Sequence, residues 1–264
     1  MNIILRELKA NLKSFIIWAL MIVVFIVMVM TEFSAYAGNE QMLSVLDAMP
    51  KQLLDAFKFG SFNLTTVTGF FGIMYSYFAL MLGIHAILIG NSIISKEEKD
   101  KTVEFSLVLP VKRSRVITSK LIAAFINCLG LTFVLYFTAL FSALKYMPEN
   151  NFHPFLFLST SGVFIVQLIF LSIGILLGCA MKRYKKSGYI GVSIILVTYI
   201  MTLFLELTDK LDFLKYLTPF KYFDTINIKN DMSLDIKYIL LSAGIIIVCI
   251  TAAYLSYRKR DLYI

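Results

Sequence analysis

Charged residues are scarce in this chain. Only 16% of its 264 residues are Asp, Glu, Lys or Arg, whereas 59% are hydrophobic; a soluble domain usually has about 25% charged residues. The mean hydropathy is +0.79. A chain with this balance is predicted to be a membrane protein rather than a soluble domain with an unusually large core.

The motifs of common enzyme classes are also missing. The sequence contains no phosphate-binding loop of the G-x-x-x-x-G-K-[ST] type, no HExxH, no GxSxG and no cluster of Cys and His. No apolar run holds a pair of carboxylates, so nothing supports an intramembrane hydrolase. We therefore expect a chain that is not itself an enzyme and holds no metal or cofactor.

The three cysteines do not indicate a disulfide or a metal site. They are far apart in apolar runs, there is no CxxC, and an odd number cannot pair completely. We interpret Cys128, Cys179 and Cys249 as small apolar packing residues.

Long apolar runs dominate the sequence instead. A transmembrane helix needs about 20 mostly apolar residues, and six segments satisfy this: approximately 15–35, 67–94, 121–144, 155–181, 188–207 and 238–257. They predict an all-α polytopic membrane protein with six transmembrane helices in a single domain, residues 1–264. The first run also resembles a signal peptide with an A-x-A site at Ala35 and Ala37, but its long, organised polar lead favours an uncleaved first span.

The distribution of basic residues predicts the orientation. Seventeen of the 25 Lys and Arg residues lie in four places: the N-terminal lead, the 95–120 segment, the "KRYKK" stretch and the C-terminal "RKR". The positive-inside rule places all four in the cytoplasm. We expect a multi-pass protein of the bacterial cell membrane with both termini cytoplasmic, in which the +8 net charge reflects cytoplasmic loops and not nucleic-acid binding.

Two amphipathic segments accompany the spans. "MNIILRELKANLKSF" places apolar residues at helical spacing and Arg6, Lys9 and Lys13 on another face, which predicts an N-terminal interfacial helix on the inner membrane surface. "LTDKLDFLKYLTPFKYFDT" mixes leucines with charges and aromatics before Pro219. It predicts a short outer re-entrant or interfacial helix between spans 5 and 6.

Few polar residues lie within the spans. His85 is the only titratable residue well inside one; a proton relay is one interpretation, and a neutral imidazole bonded to a neighbouring helix is favoured. Gly174 and Gly178 form a G-x-x-x-G that permits close helix packing, favoured within one subunit over dimerisation. Three further polar residues are predicted to bond between helices: Asn91, Asn127 and Gln167.

The 95–120 segment, "SKEEKDKTVEFSLVLPVKRSRVITSK", is a dense polar island between apolar runs, with seven basic and four acidic residues. Its acids are concentrated at the start, where a helix dipole favours them. Val103 and Leu107 form a small apolar stripe, and Pro110 must end or turn this helix. A short amphipathic helix in a loop is suited to docking into a groove on a cytosolic partner.

This segment resembles the first cytoplasmic loop of ABC-2 type exporter permeases. The family pattern is a Glu, a Thr five residues on, a Glu two later, a Pro eight after the Thr and a Lys ten after the Pro. The matching residues are Glu97, Thr102, Glu104, Pro110 and Lys120. Lys101 and Ser119 stand where the family often has glycine. The C-terminal "YRKRDL", the "LTPFKY" stretch and the six-span layout are also typical of the family.

The resemblance implies a function and partners. Two permease subunits, either two copies or this chain and a paralogue, would line a central cavity within the membrane lipid. Separate ABC ATP-binding subunits, which hold ATP and Mg²⁺, would dock beneath, and a coupling helix between spans 2 and 3 would transmit their closure. The implied coupling residues are Glu97, Thr102, Glu104, Leu107, Pro110, Arg113 and Lys120.

The sequence constrains the identity of the substrate less than it constrains the fold and the partners. Glu32 and Glu206, near the outer ends of spans 1 and 5, and His85 are candidate residues of the substrate pathway. Because the outer loops are short, we expect export of an amphipathic peptide or a hydrophobic drug. Two alternatives remain open: a secondary carrier or channel, in which His85 would be essential, and a non-transporting membrane immunity or scaffold protein.

Overall fold

The computed structural model describes residues 3–37, 50, 54, 62–99, 113–181, 184–207 and 209–259. Within these ranges the chain forms helices and turns, with no β-strand. Six of the described helices are long and apolar enough to cross a membrane. The all-α fold with six transmembrane helices that the sequence predicts is therefore confirmed.

The helices follow one another in a simple order. They are α1 (Ile3–Tyr36), α2 (Val67–Lys99), α3 (Arg113–Leu144), α4 (Phe152–Ala180), α5 (Tyr184–Leu207), a 3-10 helix (Asp209–Leu217), α6 (Pro219–Tyr222), α7 (Thr225–Asp231) and α8 (Ile236–Lys259). The candidate spans are α1 to α5 and α8. The shortest of them has 24 residues, or about 36 Å at 1.5 Å per residue, which exceeds the roughly 30 Å of a bilayer core.

Helices α2 and α4 form the centre of the bundle. Their most apolar windows are 72% and 61% buried, compared with 17–39% for the other four spans. Glycines allow the two backbones to meet: a Cβ atom on Gly174 would lie 2.3 Å from the Ile87 carbonyl oxygen, and one on Gly90 would lie 2.6 Å from that of Leu171. Gly174 thus packs within the subunit, as the favoured interpretation of the G-x-x-x-G predicted.

Contacts at the two ends show that the spans alternate in direction. At one end, the Tyr146 hydroxyl after α3 donates to the Met30 carbonyl near the end of α1, and the Thr68 hydroxyl in the first turn of α2 donates to Glu149.

At the other end, Lys120 near the start of α3 donates to a carbonyl near the end of α2. Thr118 of α3 and Tyr254, near the end of α8, are joined by a hydrogen bond of 2.6 Å. The starts of α1 and α3 therefore share one face of the bundle with the end of α8.

The separate N-terminal interfacial helix predicted from the sequence is not confirmed. Helix α1 runs without interruption over 34 residues, because residues 3–36 contain neither Pro nor Gly to end or kink it. One face of the N-terminal part of α1 turns toward the bundle. Glu7 and Asn11 are buried there, whereas Leu5 and Leu12 are exposed.

The segment between α5 and α8 folds back into the bundle. The Phe220 ring lies 5.1 Å from that of Phe170 on α4, and the Thr225 hydroxyl donates to the Gly72 carbonyl of α2 over 3.0 Å. The predicted short helix of this region is thus three short helical pieces, of which α6 and α7 pack against the central pair.

Candidate functional site

The predicted coupling segment connects the adjacent ends of α2 and α3. Glu97 lies in the last turn of α2, and Arg113 is the first residue of α3; only their backbones are described. The other predicted contacts and the coupling helix itself lie outside the described residues: Thr102, Glu104, Leu107 and Pro110. The structure therefore fixes where this segment is anchored on the bundle.

Lys120, the last residue of the predicted pattern, has a different environment. Its side chain is buried, with the residue only 1% exposed, and its ammonium donates a 2.7 Å hydrogen bond to the Ile93 carbonyl of α2. The carboxylate of Glu7 on α1 lies 3.9 Å from the same ammonium. Lys120 thus points into the bundle, between α1 and α2.

Glu7 was not identified from the sequence. It is 5% exposed, accepts a 3.1 Å hydrogen bond from Arg6 and faces Lys120. One signal could have revealed it: Glu7 is the only acidic residue among the first 31. A single acid in an otherwise basic and apolar stretch needs a reason, and a buried cation supplies one.

A cavity of about 230 Å³ lies on the opposite half of the bundle, between α2, α5 and α6. Its wall combines aromatic side chains with two carboxylates, and these include Tyr75, Tyr77, Tyr199, Phe220, Glu206 and Asp224. Tyr77 and Leu203 in this wall are exposed, so the cavity opens to the surface of the chain. Aromatic faces beside carboxylates are suited to organic cations.

Lys221 lies between the two acids of this wall. Its ammonium is 2.7 Å from Glu206 Oε1 and 2.7 Å from Asp224 Oδ2. Burial lowers the pKa of Lys221, but Asp224 and Glu206 outweigh it and raise that pKa above its usual value. The ammonium is therefore charged throughout the neutral range, and the stability that it contributes is lost only as the pH rises through the raised pKa.

The predicted substrate-pathway acids have separate surroundings. Glu32 is exposed near the end of α1, whereas Glu206 binds Lys221 and lines the cavity. Glu206 thus belongs to a defined site, and Glu32 lies on an open helix surface.

His85 lies in the interior of α2 and is 2% exposed. Its ring makes an edge contact with Trp18 of α1, with 5.3 Å between ring centroids. Neither ring nitrogen has a hydrogen-bond partner among the described residues, so the favoured bond to a neighbouring helix is not formed there. His85 does not line the cavity that contains Glu206.

Two of the three predicted interhelical hydrogen bonds are present. The Ser187 hydroxyl of α5 donates to Asn91, and the Thr132 hydroxyl of α3 donates to Gln167 on α4. The Asn127 amide instead donates to the Ala123 carbonyl of its own helix.

Comparisons with known proteins bear on both regions. Residues 1–262 match the family model described as "ABC-2 family transporter protein". A comparison with curated proteins gave no match. The matched residues include all six spans, the predicted coupling segment and the residues that line the cavity.

Proposed function

Since the chain belongs to the ABC-2 family of transporter proteins, it is a multi-pass membrane component of ABC transport, and we propose that it is the permease subunit of an ATP-driven exporter. The family match over residues 1–262 carries this proposal. The absence of a phosphate-binding loop from the full sequence supports a separate ATP-binding subunit that holds ATP and Mg²⁺.

The position of residues 100–112 supports their assignment as the coupling segment. They join the adjacent ends of α2 and α3, so force applied to them acts directly on the central helix α2. Glu97, Thr102, Glu104, Leu107, Pro110 and Arg113 are proposed to contact the ATPase. Lys120 is too deeply buried for this role and is assigned a different one below.

The bacterial cell membrane is the proposed location, with both termini in the cytoplasm. The start of α1 and the end of α8 share a face with the end of α2 and the start of α3. The basic 95–120 segment connects these two helices in the sequence, and basic residues favour the cytoplasmic side. A second permease subunit, identical or a paralogue, would complete the pathway. The poorly buried spans α1, α5 and α8 leave apolar surface for that subunit and for lipid.

The outer cavity supports a cationic amphipathic substrate. Its aromatic wall offers apolar area and ring faces, and Glu206 and Asp224 add negative charge. This narrows the expected cargo, an amphipathic peptide or hydrophobic drug, to molecules that carry at least one positive charge.

ATP hydrolysis tests the proposed function. The purified chain alone is expected to neither bind nor hydrolyse ATP, and hydrolysis is expected only after addition of its ATP-binding partner. Robust hydrolysis by the single chain would contradict the proposal. Failure to co-purify with any ATP-binding subunit would instead favour the immunity or scaffold alternative.

Substitutions of opposite effect test the cavity. Glu206→Gln removes negative charge from the wall and is expected to weaken binding of a cationic cargo about three- to tenfold, equivalent to about 0.7–1.4 kcal/mol. Lys221→Met removes the ammonium between the acids and is expected to strengthen it.

The matched control is Glu32→Gln, an exposed acid outside the cavity. Binding of a fluorescent lipophilic cation and of a neutral analogue should be measured for each variant in detergent. Equal effects of Glu206→Gln and Glu32→Gln, or equal effects on both cargoes, would contradict a binding role for the cavity.

A further inference from the structure

Three helices meet at the buried ammonium of Lys120. It lies on α3, bonds the Ile93 carbonyl of α2 over 2.7 Å and is 3.9 Å from the Glu7 carboxylate of α1. Ile93 precedes the 100–112 segment by seven residues, and Lys120 follows it by eight. The contact therefore joins both helices that carry the segment, two turns from where it is attached.

Farther along, helix α1 contacts the interior mainly through apolar residues, among them Ile22, Ile26 and Phe33. Only 22% of its apolar window is buried, compared with 72% for α2. Near its start, the polar residues Glu7 and Asn11 take the positions that face the bundle. The Asn11 amide is used within α1, where it donates to the Glu7 carbonyl, so the Glu7 carboxylate is the charged contact from this turn to α3.

Stability alone does not explain this contact. Burying two charges costs desolvation energy, and apolar residues of similar volume are often as stabilising as a buried ion pair. A charged contact differs from an apolar one in that it specifies which groups must face each other. At this position it fixes the register of α1 against α2 and α3.

We propose that Lys120 and Glu7 are positioning residues that transmit movement of the 100–112 segment to α1. When the segment moves, the ends of α2 and α3 move together because Lys120 joins them. The contact between Lys120 and Glu7 then moves α1 in the same direction. Arg6, which donates to Glu7 over 3.1 Å, helps to orient the carboxylate. This inference rests on the proposed function, since it needs a partner that moves the segment.

The expected result is a loss of coupling without a loss of assembly. In the complete complex, Glu7→Gln and Lys120→Met should each lower the amount of cargo transported per ATP hydrolysed by about fivefold or more, within the usual range of coupling between sites. Lys13→Met, at an exposed position on α1, removes a positive charge from the same side of the protein and should leave this ratio unchanged.

A double variant separates transmission from a merely structural role. Glu7→Gln with Lys120→Met leaves no buried charge in the contact, because the Arg6 side chain that remains is 36% exposed, so its melting temperature should return toward that of the wild type. Its transport per ATP should nevertheless stay low, because the specific contact is gone. Recovery of both quantities would overturn the inference in favour of simple stabilisation.

The remaining outcomes are distinguishable. If the wild-type chain forms no complex with an ATPase, the proposed function fails. If the wild-type complex transports cargo and both single variants match it in transport per ATP, the proposed function stands and only the role of Lys120 and Glu7 is wrong.

Discussion

Gly174→Ala is expected to destabilise the bundle by about 3 kcal/mol, the upper end of the usual range for overpacked cores. The new Cβ atom would lie 2.3 Å from the Ile87 carbonyl oxygen and 3.0 Å from the Ile87 carbonyl carbon. Both are backbone atoms of α2, which no rotamer change can move. The two central helices must therefore separate, which loosens the most buried contact among the described spans.

Gly244→Ala is the matched control, because a Cβ atom there has nothing within 4 Å. Position 244 is in the interior of α8, where alanine is favoured over glycine by roughly 0.5–1 kcal/mol. Thermal unfolding of the purified chain in detergent should give a clear decrease in melting temperature for Gly174→Ala and none for Gly244→Ala. Equal melting temperatures for the two variants would contradict the close packing of α2 and α4.

Reversal of two charges in the coupling segment should have the largest effect on transport. Glu97→Lys combined with Glu104→Lys is expected to decrease ATP-driven transport about tenfold or more, since like charges placed against a partner cost several kcal/mol. Membrane insertion of the six spans should be unchanged, because neither residue lies in the apolar part of a span.

Glu98→Lys is the control for this pair. It makes the same charge change next to Glu97, at a position outside the family pattern. Complex formation, ATP hydrolysis and transport should be measured for each variant. If the double variant equals the Glu98 control in all three, the two glutamates only support a solvated helix, where exposed ion pairs contribute little.

The spans and the central glycines could be predicted because their causes are local. Each span is an apolar run long enough to cross a bilayer, and this property can be read from neighbouring residues alone. The G-x-x-x-G containing Gly174 likewise indicates close packing. The identity of its partner, Ile87 on α2, required the three-dimensional arrangement.

The two charged clusters could not be predicted, because each depends on how separate helices pack together. Glu7 meets Lys120 across more than a hundred residues, and Glu206 meets Lys221 only because α6 folds back into the bundle. Lys120 matched the family pattern as a coupling residue, and that pattern gave no indication that its side chain would be buried. The basic and apolar periodicity of residues 4–15 predicted a membrane-facing stripe and gave no indication that Glu7 would be buried.

The most direct test is transport into proteoliposomes that contain this chain and its ATP-binding partner, with a fluorescent amphipathic cation as cargo. Accumulation is expected only when MgATP is added on the side of the ATPase, and it should stop when the partner is omitted or ATP is replaced by a non-hydrolysable analogue. Accumulation driven by a proton gradient without ATP or partner would contradict an ATP-driven exporter and favour a secondary carrier.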